Sequence, residues 1–285
     1  MIMNSPVKPL IQADELRLLK EFVTEVFGLE LDKNNDGFLP RKLLPRLEAL
    51  GLTTFADYYA YLKFSPRCKD EHKQLISLIT INETYFFREE PQLSVLSEVV
   101  LPALKEQKLK RGEKKLRIVS AGCSSGEEAY TLAMLVIESG CFLWDWDVEI
   151  KGVDIDPQII ERAKNGIYSG RAFQTTPPHH LERYFRKCDE GLKVKEILTK
   201  ITSFTEGNLL QLEQIIEKQT VDIVFCRNVL IYFDDESIKR GVHGFAKVLR
   251  PEGHLFLGHS ESLSRITSNY IPMRFPGAII YKKRD

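Results

Sequence analysis

Residues 116–130, LRIVSAGCSSGEEAY, decide the fold class of this chain. The first six of them are mostly apolar and predict a buried β-strand. Two glycines then bracket a turn of small residues, after which Glu127 and Glu128 supply the acidic side chains that favour a helix N-terminus. Apolar residues follow at helical spacing. The stretch therefore predicts a strand, a tight turn and a helix, and backbone amides in such a turn can face a ligand.

A second predicted strand, residues 148–153, follows this helix and ends in Asp154. In nucleotide-binding folds, an acid at the end of the second strand accepts hydrogen bonds from ribose hydroxyls. The two strands and the turn between them therefore predict half of a nucleotide-cofactor site, with Asp154 on the ribose.

Strand and helix patterns alternate through the rest of the chain, which is typical of a parallel α/β sheet. The strands predicted after the second cover residues 201–205, 221–226 and 254–258. A Pro-Glu-Gly turn at residues 251–253 is expected to precede the last of them. Short extended runs around a turn at residues 189–191 predict a small antiparallel insert over about residues 168–204. Residues 270–281 predict a terminal hairpin.

The N-terminal part of the chain, from residue 11 to about residue 80, has helical spacing and no strand alternation, and Gly28 follows its first helix as a stop. We therefore predict a helical domain over residues 1–80. A linker and the first helix of the next domain are expected over residues 81–115, and a cofactor-binding domain over residues 116–285.

Composition and charge argue against several classes of protein. The 285 residues carry 40 Lys+Arg and 40 Asp+Glu, and this balance argues against a general nucleic-acid binder.

The longest apolar runs are strand-length and the N-terminus has no signal-peptide core, so we expect a cytoplasmic protein that does not insert into a membrane. The five cysteines are scattered without a CxxC pair. This pattern argues against a disulfide framework or a zinc site, and we predict no metal.

Residues 32–37, DKNNDG, imitate the start of a calcium-binding loop. The twelfth position of such a loop needs a bidentate Glu, but that position holds Leu43, and Pro40 falls among the ligand positions. We interpret the segment as a polar loop that caps the next helix.

Residues 122–126, GCSSG, also fit the G-x-S-x-G nucleophile elbow of hydrolases. That chemistry needs an acid and then a histidine in chain order, and Asp222 or Asp234 followed by His259 would supply them. No HGGG-type oxyanion segment precedes the elbow, and the acid that ends the next strand suits a nucleotide site better. A hydrolase with Ser124 as nucleophile is therefore the less favoured alternative.

Two further segments concentrate polar side chains. Residues 82–91 bring together an amide, a hydroxyl and a guanidinium, a costly combination unless each group has a partner. The alternative for this segment is a linker anchored by its aromatic residues. Residues 227–232 follow a predicted strand, and polar residues at the carboxyl end of a parallel strand border the ligand crevice. Tyr232 alone is interpreted equally well as an ordinary half-buried aromatic.

Five motifs occur in order along the chain. They are residues 82–89 (NETYFFRE), 124–130 (SSGEEAY), 207–210 (GNLL), 226–233 (CRNVLIYF) and 258–262 (GHSES). Together they resemble the CheR-type chemotaxis receptor (protein-glutamate) O-methyltransferases, and the resemblance covers nearly the whole chain.

The resemblance implies an S-adenosylmethionine-dependent enzyme that esterifies glutamate side chains on the cytoplasmic helices of methyl-accepting chemoreceptors and releases S-adenosylhomocysteine. It implies an all-α N-terminal domain followed by a doubly wound, Rossmann-like class I methyltransferase sheet. The antiparallel insert matches a subdomain that docks a receptor tail peptide in some relatives. In this chain Pro45 and Glu48 dilute the basic stripe that relatives carry on the second helix, which leaves the identity of the receptor open.

The resemblance also implies a set of site residues. Arg88 is expected to aim the incoming carboxylate, and Tyr232 to orient the carboxylate or the methyl group. Glu128 is expected to take the ammonium of the cofactor or to pair with Arg88. The residues predicted to bind the cofactor are Asn82, Thr84, Arg88, Ala121, Gly122, Glu127, Glu128, Asp154, Asn208, Leu209, Arg227 and Asn228.

Two other functions stay open from the sequence. One is a methyltransferase of the same fold that acts on a different protein or on a small carboxylic acid. The other is a non-catalytic regulator that binds S-adenosylhomocysteine, although Arg88 and Tyr232 argue against it.

Overall fold

The computed structural model describes residues 10–31, 38–142, 145–263 and 266–284. The calcium-like motif at residues 32–37 therefore lies outside the described residues. The chain divides into two compact units. The first contains the chain up to Ile81 together with Tyr232–Asp234, and the second contains Asn82–Ile231 and Asp235–Asp285.

The described part of the first unit is helical, as the sequence predicted. Its helices are α1 (Ala13–Phe27), α2 (Phe38–Leu50), α3 (Phe55–Phe64) and α4 (Cys68–Ile79). α1 ends at Gly28, whose φ of 78° is a left-handed conformation that glycine adopts without strain. Leu29 then forms a single antiparallel bridge with Phe233, which belongs to the same unit.

Strands and helices alternate through the second unit. The strands are β1 (Lys115–Ala121), β2 (Asp147–Asp154), β3 (Ile167–Tyr168), β4 (Phe185–Cys188), β5 (Gly191–Val194), β6 (Thr202–Glu206), β7 (Val221–Cys226), β8 (Leu249–Leu257), β9 (Tyr270–Phe275) and β10 (Ala278–Lys283). The helices are α5 (Glu90–Val95), α6 (Leu101–Lys110), α7 (Glu127–Glu138), α8 (Pro157–Asn165), α9 (Pro178–Tyr184), α10 (Glu196–Thr199) and α11 (Asp235–Val248). None of the helices in the described residues is both long and apolar enough to cross a membrane.

Seven strands form one sheet in the order β6-β2-β1-β7-β8-β10-β9. The first five strands in this order pair in parallel, and β10 pairs antiparallel with both of its neighbours. Strand order reverses around β1, because the chain moves outward to β2 and β6 and then returns to β7 on the other side. This arrangement confirms the predicted doubly wound sheet and its terminal hairpin, and it makes the carboxyl ends of β1, β2, β6 and β7 the expected ligand edge.

The predicted antiparallel insert is a separate three-stranded sheet in the order β3-β5-β4. The turn between β4 and β5 lies at residues 189–190, within the predicted 189–191, and Gly191 already begins β5. Gly191 has a φ of 140°, and an added Cβ would lie 2.4 Å from the Tyr168 carbonyl oxygen, so glycine is required there. Sequence patterns did not reveal α9 and α10, two short helices that accompany this sheet.

The prediction for the start of β8 was wrong. Residues 251–253 were expected to form a turn before the strand, but β8 already begins at Leu249, which pairs with Val221. The register shifts between Val221 and Ile223, and Glu252 has a positive φ of 62°. The Pro-Glu-Gly residues are therefore absorbed as an irregularity within the strand, and pairing with β7 resumes after it.

A cluster of aromatic rings anchors the polar segment that precedes α5. Phe86 is fully buried and stacks on Phe173, with ring centroids 5.3 Å apart and planes within 5°. Its edges meet Tyr168 and Phe185 in T-shaped contacts. Aromatic pairs of these geometries add stabilisation beyond their buried area. Phe86 therefore pins the segment to the insert.

Candidate functional site

The turn after β1 is built so that only glycine fits at its start. Gly122 has a φ of 77°, and a Cβ there would lie 2.4 Å from Val229 Cγ2. The amides of Gly122 and Cys123 both donate to the Val153 carbonyl, at 2.8 and 3.1 Å. Ala121, the last residue of β1, is fully buried. The turn therefore lies tightly against the carboxyl end of β2, and the amides of Gly122 and Cys123, which could have faced a ligand, are bonded within the fold.

Asp154 fastens this turn to the end of β2. Its Oδ2 accepts a hydrogen bond from the Ser124 amide at 2.8 Å, and its Oδ1 accepts one from the Asp156 amide at 3.0 Å. Burial raises the pKa of Asp154 to about 6, although both amides oppose that shift. Each carboxylate oxygen can accept a further hydrogen bond, as a ribose hydroxyl would require.

Asp156 is a site residue that the sequence analysis missed. It is buried, and its Oδ1 accepts from the amides of Gln158 and Ile159 as the N-cap of α8. Its Oδ2 accepts from Asn82 Nδ2 at 3.0 Å. The signal available in the sequence was an Asp directly before Pro157, a common start of a helix. Asp156 thus holds the predicted cofactor residue Asn82 beside the end of β2.

The segment that contains Asn82 and Arg88 lies along the same edge. The Asn82 carbonyl accepts from Ser124 Oγ at 3.2 Å, and the Phe87 amide donates to Thr131 Oγ1 at 3.2 Å. Thr84, between these contacts, is half-buried. The structure therefore brings the first predicted polar segment against the β1 turn and the first turns of α7.

Glu128 pairs with Arg227 at the start of α7. Glu128 Oε2 accepts from Arg227 Nε at 2.7 Å, while its Oε1 accepts from Ser120 Oγ at 2.7 Å. The alternative that Glu128 pairs with Arg88 was therefore wrong. Arg227 follows β7, which is the direct neighbour of β1, so its guanidinium reaches Glu128 from the adjacent strand end.

Arg88 is folded back on its own segment. Its Nη1 donates to the Glu83 carbonyl at 3.1 Å, and its guanidinium carbon lies 5.5 Å from the centre of the Tyr85 ring. Its own carbonyl accepts from Arg227 Nη1 at 2.7 Å. A half-buried guanidinium that rests on an aromatic face is oriented without being neutralised, which suits the capture of an anion.

Glu127 points into the turn. It is buried and accepts from Ser125 Oγ at 2.7 Å, and burial raises its pKa. The Ser125 carbonyl in turn accepts from Tyr168 of the insert at 2.6 Å. Glu127 therefore helps to fix the turn, and a direct role with the cofactor stays a prediction.

Asn208 and Leu209 follow β6, the strand next to β2. The Gly207 amide donates to the Asp154 carbonyl at 2.8 Å, and Asn208 Oδ1 accepts from the Leu210 amide at 2.9 Å. Leu209 is buried. The structure thus brings this predicted pair close to the end of β2, where an adenine ring would be expected beside a ribose on Asp154.

Glu261 is the second site residue that the sequence analysis missed. Its buried carboxylate accepts four backbone hydrogen bonds, from Gly258 at 2.6 Å, Asn228 at 3.0 Å, Val229 at 3.0 Å and Leu230 at 2.8 Å. Asn228 has a positive φ of 60°. Burial raises the pKa of Glu261, and the four amides counteract the shift. The loop after β7 is therefore wrapped around one carboxylate.

Tyr232 belongs to the first unit, in which its carbonyl accepts from the Glu30 amide at 2.8 Å. It lies in a short 3₁₀-helix, Leu230–Tyr232, and is half-buried. Its predicted role opposite Arg88 stays a prediction.

The hydrolase alternative does not agree with the geometry. Ser124 Oγ donates to the Asn82 carbonyl and does not meet a histidine among the described residues. Asp222 lies near the amino end of β7, at the opposite edge of the sheet, and is engaged in buried ion pairs there. The His259 side chain is 79% exposed, and its Nδ1 lies 3.4 Å from Glu89 Oε1. The three groups of a triad are therefore not assembled.

Apart from Tyr232–Asp234, the two units correspond to two family matches. The description "CheR methyltransferase, all-alpha domain" matches residues 14–80, and "CheR methyltransferase, SAM binding domain" matches residues 82–278. The chain belongs to the CheR methyltransferase family. The fold class and the cofactor, S-adenosylmethionine, that the resemblance implied are thereby confirmed.

Named relatives agree with this assignment. A Vibrio cholerae protein, "Chemotaxis protein methyltransferase 2", is 36% identical over 93% of this chain and 91% of its own length. A Borreliella burgdorferi "Chemotaxis protein methyltransferase" is 34% identical over 89% of each chain. A Pseudomonas aeruginosa "Probable biofilm formation methyltransferase WspC" is 30% identical over 94% of this chain and 60% of its own length.

Proposed function

We propose that this chain methylates glutamate side-chain carboxylates on the cytoplasmic helices of bacterial chemoreceptors, giving the methyl esters used in chemotactic adaptation. The observation that carries the proposal is the assembly of Asp154, Glu128 and Arg227 around the turn at residues 122–126, with the Arg88 segment bonded to the same turn and to Arg227. The names of the relatives support the choice of acceptor.

The residues at this edge fit the groups of S-adenosylmethionine. Asp154 is proposed to hold the ribose, while Asn208 and Leu209 border the adenine. Ala121 and Gly122 are proposed to border the methionine portion, and Glu128 to take its ammonium. The remaining residues proposed to complete the site are Asn82, Thr84, Glu127, Arg227 and Asn228. When bound, the cofactor supplies a methyl group activated by its sulfonium.

Methylation of a glutamate acceptor requires no general base from this chain. The reference pKa of Glu is about 4.3, so the acceptor is already a carboxylate at neutral pH. The acceptor oxygen would take the methyl group that the bound cofactor supplies, with the thioether of S-adenosylhomocysteine as the leaving group. Arg88 is proposed to aim the carboxylate through paired N–H groups, and Tyr232 to orient it. Positioning of this kind can remove roughly 7–11 kcal/mol from a barrier.

The partner is proposed to be the cytoplasmic domain of a methyl-accepting chemoreceptor, so that the enzyme acts in the cytoplasm. The insert offers a place for a receptor tail peptide, because β4 is an edge strand of its three-stranded sheet. An extended peptide can add to such an edge through main-chain hydrogen bonds. We propose no nucleic-acid partner.

The test is transfer of a labelled methyl group from S-adenosylmethionine to a purified chemoreceptor cytoplasmic fragment, followed by mild alkali. Label on the fragment that alkali releases as methanol supports the proposal, and the Arg88→Ala variant is the matched control. Alkali-stable label would indicate a different acceptor group. Intact cofactor binding without transfer would favour another protein, a small carboxylic acid or a non-catalytic regulator.

A further inference from the structure

A cluster of two imidazoles and a carboxylate lies where the end of α7 meets α9 of the insert. Glu138 is the last residue of α7, and His179 and His180 lie in the first turn of α9. One possible ligand atom from each of the three lies within 4.8 Å of the others. The sequence did not reveal this cluster, because its members come from elements 40 residues apart and no cysteine is involved.

The Glu138–His180 pair already has nearly the separation that a metal ion requires, and all three ligand atoms lie within 4.8 Å of one another. His180 Nε2 lies 2.9 Å from Glu138 Oε2, and the two histidine rings lie 4.1 Å apart between centroids. Zinc binds imidazole nitrogen and carboxylate oxygen at about 2.0–2.2 Å, so two ligands of one tetrahedral ion lie about 3.4 Å apart. The Glu138–His180 pair needs to open by only about half an ångström.

Neighbouring groups already orient the Glu138 carboxylate. Its Oε1 accepts from the Tyr184 hydroxyl at 3.3 Å and from Arg183 Nη1 at 3.5 Å. These contacts leave Oε2 to face His180. Hydrogen bonds from outer residues to a ligating carboxylate are the usual means by which a metal ligand is held in position.

The surroundings of His180 also fit a ligating imidazole. His180 is only 6% exposed, and its Nδ1 is buried without a hydrogen-bond partner among the described residues. A ring that binds metal through Nε2 carries its proton on Nδ1, and no group in the described part of the chain donates to this Nδ1 to hold the ring in the other tautomer. His179 is exposed, so water can complete the coordination.

We infer that Glu138, His179 and His180 form a binding site for one divalent transition-metal ion of the zinc class, which ties α7 to α9 of the insert. Two imidazoles and one carboxylate favour zinc, cobalt or nickel over magnesium or calcium, which prefer oxygen ligands throughout. The His180 ring also packs on Phe87, with centroids 4.4 Å apart, and Phe87 directly precedes Arg88. A bound ion therefore fixes the ring on which the Arg88 segment rests.

The experiment uses the full chain without a histidine tag, stripped with a chelator and desalted. Cobalt is titrated while visible absorbance is recorded, and zinc binding is measured by calorimetry and by displacement of cobalt. One equivalent is expected, with the intense visible bands of low-coordinate cobalt. Because His179 is exposed, His179→Gln should keep the fold, and it should weaken zinc binding by about 10-fold or more.

His243→Gln is the matched control, since His243 is exposed on α11 away from the cluster. It should leave the zinc affinity unchanged, whereas Glu138→Gln should weaken it as His179→Gln does. Two results would overturn the inference. One is the absence of stoichiometric binding by the unmodified chain. The other is equal zinc affinity in the unmodified chain and in His179→Gln, with circular dichroism showing both folded.

Discussion

Glu128 and Arg227 form an ion pair that is almost fully removed from solvent, with 2.7 Å between Oε2 and Nε. The side chains are 12% and 3% exposed. Arg227 also donates to the Arg88 carbonyl, and Glu128 also accepts from Ser120. One pair thus joins β1, α7, the loop after β7 and the segment before α5. The proposed site depends on it before any ligand is bound.

Removal of one member of this pair is expected to lower the free energy of unfolding substantially. Arg227→Met leaves a buried carboxylate without its counter-charge, and the free energy of unfolding should fall by about 3–5 kcal/mol. The double variant Glu128→Gln/Arg227→Met removes both charges and should lose less than the sum of the single variants. Denaturant unfolding followed by circular dichroism measures all three. A loss below about 1 kcal/mol in Arg227→Met would show that the pair is not structural.

Asp154 should make cofactor binding depend on pH. Its pKa is raised from 3.8 to about 6, so it gains a proton below about pH 6 and loses acceptor capacity for a ribose. Affinity for S-adenosylhomocysteine should therefore fall as pH drops from about 7 to about 5. Calorimetry across this range should show a weaker, flatter dependence in Asp154→Asn. Equal slopes in the two proteins would count against the ribose role.

The raised pKa of Asp154 also makes the free energy of unfolding depend on pH. The folded chain keeps the Asp154 proton up to about pH 6, whereas the unfolded chain releases it near pH 4. The contribution of this group to the free energy of unfolding therefore falls as pH rises from about 4 to about 6 and is constant above that. The free energy of unfolding of Asp154→Asn is measured over the same pH range for comparison, because this variant has no carboxyl group to titrate at position 154.

The parts of the site that follow from local sequence were predictable, and the parts that depend on strand neighbours were not. The turn at Gly122 and the acid at Asp154 each follow from a strand with its flanking residues. The partner of Glu128 depends on β7 lying beside β1, which no local pattern states. Glu261 acts on a loop about 30 residues earlier in the chain through backbone amides, and amides leave no trace in the side-chain sequence.

Gly122→Ala should destabilise the chain by about 1–3 kcal/mol, because it combines a positive φ with a clash. The added Cβ would lie 2.4 Å from Val229 Cγ2. Val229→Ala removes that atom, so the double variant should regain part of the loss and keep only the cost of the backbone conformation. Thermal unfolding of both single variants and the double variant tests this. Additive losses would show that the contact with Val229 is unimportant.

Arg88→Lys should lower the rate of methyl transfer much more than it weakens cofactor binding. A lysine keeps the charge but lacks the planar pair of N–H groups that can align a carboxylate. A misplaced acceptor can lower the rate by about 100-fold. The rate of methyl transfer and the affinity for S-adenosylhomocysteine are measured together, with Arg171→Lys in the exposed part of the insert as the control. A near-normal rate in Arg88→Lys would rule out the aiming role.

Glu261→Gln should disturb the loop after β7 although the change is nearly isosteric. A glutamine keeps one acceptor oxygen but turns an NH₂ group toward amides that are themselves donors. Four amides bond to Glu261, and two of them, those of Gly258 and Asn228, share Oε2. Whichever way the glutamine amide is oriented, its NH₂ group then faces at least one backbone N–H group, and two donors cannot bond to each other. Loss of these bonds should reduce the free energy of unfolding by about 1–3 kcal/mol.

The same variant separates a positioning role from simple stability. Asn228 is held at its positive φ by this carboxylate, so Glu261→Gln should also weaken binding of S-adenosylhomocysteine at temperatures where the variant is fully folded. Glu190→Gln, on the exposed turn between β4 and β5, is the matched control and should change neither quantity. If Glu261→Gln is less stable but binds the cofactor product normally, the carboxylate supports the fold without shaping the site.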